Sequence, residues 1–212
     1  MEHKEIKTAL IFGGGAFSLP EEWPLTEKAD LILAADHGAD YAVRLGLSVD
    51  VVVGDLDSLA GDVPPGAELV RLRAEKDDTD LAVAIKEAVH RGARKILLLC
   101  CFGGRADQTL ATYQTMLNTA EDGIEIFGLD ETTTVSVATP EHSVTATKKD
   151  RYLSVFCLGE QAKGVTIQGV KYPLDRASLS ADYPLGVSNE IVEDHAAVSV
   201  EQGALLVMTV KK

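Results

Sequence analysis

Long hydrophobic runs are missing from this chain. Across 212 residues no apolar stretch approaches the roughly 20 needed to cross a bilayer as a helix, so no membrane partner is expected. The opening eight residues carry Glu2, Lys4, Glu5 and Lys7 and no apolar centre of the kind a secretory signal needs, which points to a cytoplasmic protein. Cysteine is scarce: Cys100, Cys101 and Cys157 are an odd set without metal-type spacing, which argues against a disulfide framework or a zinc site and for buried, inert thiols. Five scattered histidines (His3, His37, His90, His142, His195) include no pair spaced for zinc on one helix face. Positive charge is also short. The net charge is −13, and no basic stripe with interleaved aromatics occurs, so nucleic acid is an unexpected partner. An acidic balance does not exclude ATP, because Mg²⁺ and a few local cations can neutralise its phosphates inside a cleft.

What remains is an ordinary globular composition, 46% hydrophobic and 25% charged, arranged in two rhythms. Up to about residue 130, short apolar runs alternate with helical patterns. The runs are 8–12 (TALIF), 29–35 (ADLILAA), 49–53 (VDVVV), 68–72, 95–102 (KILLLCCF) and 124–129 (IEIFGL). From Asp80, Leu81, Ala84, Ile85, Ala88 and Val89 recur at spacings of three and four until Gly92, with Thr79 or Asp78 as cap. A second helix is expected from about Asp107 to Ala120, with Leu110, Tyr113, Gln114 and Leu117 in register, and 39–45 has helical spacing too. Continuously apolar strands alternating with helices indicate a mainly parallel, Rossmann-like α/β domain, placed at residues 1–131. From residue 132 short β-rich pieces follow one another (134–138, 143–147, 152–158, 165–170, 196–200, 204–210) without a good helix, which reads as a smaller all-β sandwich domain at 132–212.

Three clusters could carry chemistry, each following a predicted strand of the parallel sheet. Gly54-Asp55-Leu56-Asp57-Ser58 ends VDVVV. In an extended chain Asp55 and Asp57 project to one side, and two carboxylates that close repel unless a cation such as Mg²⁺ sits between them. A solvated acidic turn is the plainer alternative. Lys76-Asp77-Asp78-Thr79-Asp80 opens the first long helix; acids and Thr there are ordinary capping chemistry, but Lys76 could meet a phosphate and Asp80 could complete a metal site. In Gly103-Gly104-Arg105-Ala106-Asp107 the glycines let backbone approach a ligand and Arg105 can grip a phosphate, while Asp107 suits a cationic or hydroxyl-bearing partner or merely caps the helix. All three should converge at one sheet edge, and together they combine metal-binding acids with phosphate-binding cations, as phosphoryl or diphosphoryl transfer requires. Gly13-Gly14-Gly15 lacks a full dinucleotide or P-loop fingerprint and is expected to form a tight turn near the nucleotide.

Taken in order, Ala35-Asp36-His37-Gly38-Ala39, Asp50 with the 54–58 cluster, the 76–80 cluster, the 103–107 cluster, Gly169-Val170-Lys171-Tyr172-Pro173-Leu174 and Gly186-Val187-Ser188-Asn189-Glu190 resemble the motifs of the thiamine pyrophosphokinase family. The resemblance spans nearly the whole chain. It implies transfer of a diphosphate from ATP to the hydroxyl of thiamine with AMP leaving, a homodimer, and a site shared between the α/β domain of one subunit and the β domain of the other. It also implies Asp55, Asp57 and Asp80 as Mg²⁺ ligands, Asp36, Lys76, Gly104 and Arg105 near ATP, and Asp107, Ser188 and Asn189 at thiamine. We expect Asp107 to orient or deprotonate the attacking hydroxyl. Three positions depart from the family pattern: His37 stands where Gly is usual, Gln108 where His is usual, and Thr112 where Asn is usual. An aromatic cover over thiamine from the β domain would fall to Tyr172 or Tyr183. Two other functions fit parts of the pattern. One is a thiamine- or nucleotide-binding protein without turnover; the other is a haloacid-dehalogenase-like phosphohydrolase with Asp55 as nucleophile, which lacks the expected Gly-Thr after the second Asp.

Overall fold

A computed structural model describes residues 7–20, 29–55, 63–72, 78–147 and 151–211. The chain forms two compact units: Met1–Thr112 with Leu129–Glu131, and Tyr113–Gly128 with Thr132–Lys212. The first unit is built on five parallel strands. In chain order they are β1 (Thr8–Phe12), β2 (Leu31–Ala35), β3 (Val51–Gly54), β4 (Glu68–Arg71) and β5 (Lys95–Leu99), laid side by side as β5-β1-β2-β3-β4. β1, β3 and β5 are buried along nearly their whole length, which is why they read as unbroken apolar runs rather than alternating ones. Because β5 returns to the far side of β1 instead of extending the row beyond β4, strand order reverses at β1, and the carboxyl ends of β1 and β5 splay into a crevice.

Helix α1 (Gly38–Arg44) packs on β1 and β2, and α2 (Asp80–His90) packs on β1, β2 and β3. Thr79 caps α2, its Oγ1 accepting from the Ala82 amide at 3.2 Å, and the buried face is Ala82, Ala84, Ile85 and Ala88. Helix α3 (Ala106–Glu121) follows β5. Its buried stripe is Thr112, Met116, Thr119 and Ala120, not the Leu110-centred register expected from the sequence; Leu110 is half exposed.

The second unit is antiparallel. One layer runs β12 (Gly186–Glu190), β9 (Arg151–Phe156), β14 (Leu205–Lys211) and β7 (Thr133–Ala138), with β6 (Glu125–Leu129) beside β7. The other layer runs β11 (Leu174–Ser180), β10 (Gln161–Gln168), β13 (Ala196–Ser199) and β8 (Val144–Ala146). Leu153, Val155, Leu205 and Val207 from the first layer meet Val165, Ile167, Leu179 and Val198 from the second in a single apolar core, the filling of a sandwich.

Candidate active site

The carboxyl ends of β1, β2 and β5 and the starts of α2 and α3 surround a cleft of about 740 Å³ in the first unit. Its floor is main chain. Gly13 donates to Leu99 O at 2.8 Å, Gly15 to Cys100 O at 2.7 Å, and Tyr41 Oη donates to Gly15 O at 2.8 Å, so the triglycine turn is pinned from both sides. A Cβ at Gly38 would collide with the Phe12 carbonyl, and one at Gly54 with the Asp36 carboxylate, so neither position can carry a side chain without a shift. Two non-glycine residues at strand ends, Asp36 (φ 46°) and Cys100 (φ 52°), hold left-handed backbone, the kind of strain that concentrates at ligand sites.

Of the residues expected near ATP, Asp36, Gly104 and Arg105 line this cleft, as does Asp80 at the first turn of α2. The Asp36 amide donates to Val53 O at 2.9 Å, which sets its carboxylate beside Gly54 and one residue from Asp55 at the tip of β3. Asp57 and Lys76 lie outside the described residues. Among the described residues no three His, Cys, Asp or Glu side chains gather closely enough to hold a metal by themselves. That donor set still fits Mg²⁺ brought in with a nucleotide, which takes one or two carboxylates and fills its shell with phosphate oxygens and water.

Arg105 and Asp107 form a two-pronged pair, Nε to Oδ1 at 3.1 Å and Nη2 to Oδ2 at 2.5 Å, with both side chains largely exposed. That hydrogen bonding from Arg105, helped by the Gln108 amide at 2.9 Å from Oδ1, holds the Asp107 carboxyl below its ordinary range. A carboxylate so stabilised is a weak base but a good hydrogen-bond acceptor. Gln108 and buried Thr112 also line the cleft; Thr112 Oγ1 donates to Gln108 O at 2.9 Å and so keeps its hydroxyl on the helix.

Sequence reasoning missed Asp40 and Tyr41. His37 Nδ1 lies 2.8 Å from Asp40 Oδ2, and the His37 ring stands edge-on to Tyr41 with centroids 4.7 Å apart. The three-residue spacing of His37 and Asp40 on a helix start was the available signal.

In the second unit, Ser188 and Asn189 have different surroundings. A register shift between Gly186 and Asn189 bulges β12 away from β9, and Ser188 sits there exposed at φ 56°, its amide donating to Ser154 Oγ at 3.0 Å. Asn189 is buried and committed to main chain: Oδ1 accepts from the Tyr172 and Glu190 amides, each at 3.0 Å, and Nδ2 donates to Tyr172 O at 2.8 Å. It therefore fixes the backbone of Tyr172, a residue that is itself 62% exposed.

The class that the fold defines is a mainly parallel α/β unit with a glycine-lined cleft at its strand-order reversal, followed by an antiparallel β unit. Residues 23–128 match the family model for the thiamin pyrophosphokinase catalytic domain, and residues 141–205 match that for the thiamin pyrophosphokinase vitamin B1 binding domain. The chain belongs to the thiamin pyrophosphokinase family, an ATP-dependent one, and thiamine diphosphokinase activity comes with that membership. Thiamine pyrophosphokinase of Bacillus subtilis is 27% identical over 210 residues, 96% of this chain and 98% of the relative. The crystal structure of the Bacillus subtilis enzyme superposes with a TM-score of 0.84 at 26% identity, covering 97% of this chain and all of that one. A thiamin pyrophosphokinase family protein from Enterococcus faecalis gives a TM-score of 0.81 at 28% identity, covering 97% and 99%. Among the described residues, no helix is long and apolar enough to cross a membrane.

Proposed function

We propose that the cleft of the first unit binds ATP with Mg²⁺, and that the thiamine hydroxyl attacks the β-phosphorus in line, releasing its proton to water, while the bond from the β-phosphorus to the AMP oxygen breaks and AMP leaves. The observation that carries this assignment is the gathering of Gly13–Gly15, Asp36, Asp80, Gly104 and Arg105 around one opening at the strand-order reversal. Glycine backbone allows phosphates to approach closely, and Arg105 offers two donors to them. Asp55, Asp57 and Asp80 would hold Mg²⁺, which when bound neutralises phosphate charge. Catalysis here is chiefly positioning and charge balance, so the protein needs no strong base. Asp107, weakened as a base by Arg105, orients the cationic acceptor and its hydroxyl instead of removing the proton. Ser188, displayed on its bulge, is offered as a direct thiamine contact; Asn189 acts through the main chain of Tyr172.

Homodimer formation fits the exposed apolar residues of the second unit, Tyr172, Tyr183, Leu185, Val187 and Val192. Three free, buried cysteines suit a reducing, cytoplasmic setting.

The test is formation of AMP and thiamine diphosphate from ATP and thiamine with Mg²⁺. Turnover is expected in the natural chain, and a loss of roughly 100-fold or more in Asp55→Asn. Binding of both ligands with no AMP formed would replace this reading with that of a binding protein.

A further inference from the structure

Three consecutive glycines line the cleft, and glycine loses more conformational freedom on ordering than any other residue. Their outer positions leave no room for a side chain: a Cβ at Gly13 would crowd Cys101, and one at Gly15 would strike the Cys100 and Phe102 carbonyls. The shape of the turn has to be imposed by bonds from outside it. The end of β5 supplies those on one side, where Gly13 donates to Leu99 O at 2.8 Å, Gly15 to Cys100 O at 2.7 Å and Ala16 to Phe102 O at 2.9 Å.

Tyr41 of α1 holds the opposite side. Its Oη donates to Gly15 O at 2.8 Å, so the peptide joining Gly15 to Ala16 is fixed at its carbonyl by Tyr41 and at its N–H by Phe102 O. Gly38 brings the helix within reach, because α1 packs so closely on the end of β1 that a Cβ there would collide with the Phe12 carbonyl. The Tyr41 ring packs against Phe17, with centroids 5.1 Å apart, and against His37 at 4.7 Å, which restrains the swing of the hydroxyl. Burial raises the phenol above its ordinary value, with Cys100 and Asp40 adding to the effect and Arg44 opposing it, so the hydroxyl keeps the proton that it donates. Among the described residues the Gly14 amide, between these fixed points, donates to no protein acceptor, which leaves it for a ligand oxygen.

We propose that Tyr41 is a positioning residue for the diphosphate transfer: through the Gly15 carbonyl it holds the triglycine turn in the shape that receives the phosphates of the nucleotide. This rests on the ATP-site assignment above and adds to it the side chain that keeps the site preorganised. Tyr41 acts by removing, before the nucleotide arrives, freedom that the glycines would otherwise lose on binding. Without the hydroxyl the Gly15 carbonyl has no anchor on the α1 side and the turn samples other shapes, so the nucleotide must order it. That cost falls on nucleotide binding. It does not fall on the chemical step once the nucleotide is seated, nor on the recognition of thiamine.

Tyr41→Phe tests this, since it keeps the ring contacts with Phe17 and His37 and removes the hydroxyl alone. Calorimetric titration with a non-hydrolysable ATP analogue and Mg²⁺, without thiamine, should show the affinity falling roughly fivefold. In steady-state assays the KM for ATP should rise in step, while kcat and the KM for thiamine stay within about twofold of the natural chain's. A merely structural role would lower the unfolding midpoint and leave the KM for ATP where it was, and that result overturns the proposal. So does a variant whose kcat falls while its affinity for the analogue holds. Because the titration involves no turnover, the outcome is separable from the kinase reading. No AMP from the natural chain, with the analogue held about fivefold more weakly by Tyr41→Phe, sinks the activity alone. Turnover with equal nucleotide affinity in the two chains sinks the role of Tyr41 alone, and a natural chain that binds no analogue sinks both.

Discussion

Asp107 is held by Arg105 on the outside of the molecule, where water screens the pair and makes it a poor source of stability. Its interest is chemical. The shift is downward, so the charged pair persists at neutral pH and is lost only as pH falls through the lowered value. Carboxyl carbon titration by NMR should find Asp107 titrating below an ordinary aspartate, and Arg105→Ala should move it back up; an unmoved value would leave Arg105 without influence on it. The cysteines give a second residue-level expectation. Burial pushes all three thiols upward, Cys101 most of all, and none is disulfide-bonded. An aromatic disulfide reagent at pH 8 should therefore label none of them in the native protein and all three after unfolding. Inert thiols could be read from the sequence because they sat inside apolar runs. The His37–Asp40 pair could not be ranked, since a histidine three residues from an aspartate is common on solvated helices and only the cleft beside it gives the pair meaning.

At the scale of elements, the sequence was most informative where burial was complete. The runs that became β1, β2, β3 and β5 carry a single polar residue each, at or near the start (Thr8, Asp30, Asp50 and Lys95), and are otherwise unbroken apolar sequence, and Thr79 announced the start of α2 by its chemistry. Thr79→Ala should cost about 1 kcal/mol in denaturant unfolding, through loss of the bond to the Ala82 amide; an unchanged midpoint would mean that this helix end is supported by other contacts. β11 and β12 went unrecognised for the opposite reason. Each is the outermost strand of its layer, and LDRASLS and GVSNE bury few of their side chains, so neither shows an apolar face. The register of α3 was misread because its buried face uses Thr112 and Thr119, whose hydroxyls bond carbonyls four residues back (Gln108 O and Thr115 O) and so tolerate burial. Hydrophobicity counting cannot foresee that arrangement.

Across the whole molecule the dominant quantity is the net charge of −13, which acts on the two substrates in opposite directions. The acidic surface draws a cation such as thiamine toward it and repels a nucleotide, and both effects are screened by salt. In stopped-flow measurements, raising ionic strength from about 0.01 M to 0.15 M should slow thiamine association and quicken that of the Mg²⁺–ATP complex. Equal responses of the two rates would show that local charge at the site, rather than the global field, governs encounter. Fold class and family were readable from the ordered motifs of the whole chain, since no single motif was specific. Exposed Tyr172 illustrates what was not: the sequence marks it as an aromatic near a signature, but not that buried Asn189 holds its main chain in place.

The glycine floor of the cleft sets terms for descent as well as for chemistry. Where a first carbon would strike the Phe12 carbonyl, the Asp36 carboxylate or, beyond Gly15, the Phe102 carbonyl, a point substitution forces the neighbouring main chain or side chain to move. Room for change lies instead at side chains that line the cleft without closing its floor, such as His37 and Gln108. Side chains that face the cleft can thus be exchanged while the main-chain outline beneath them stays fixed.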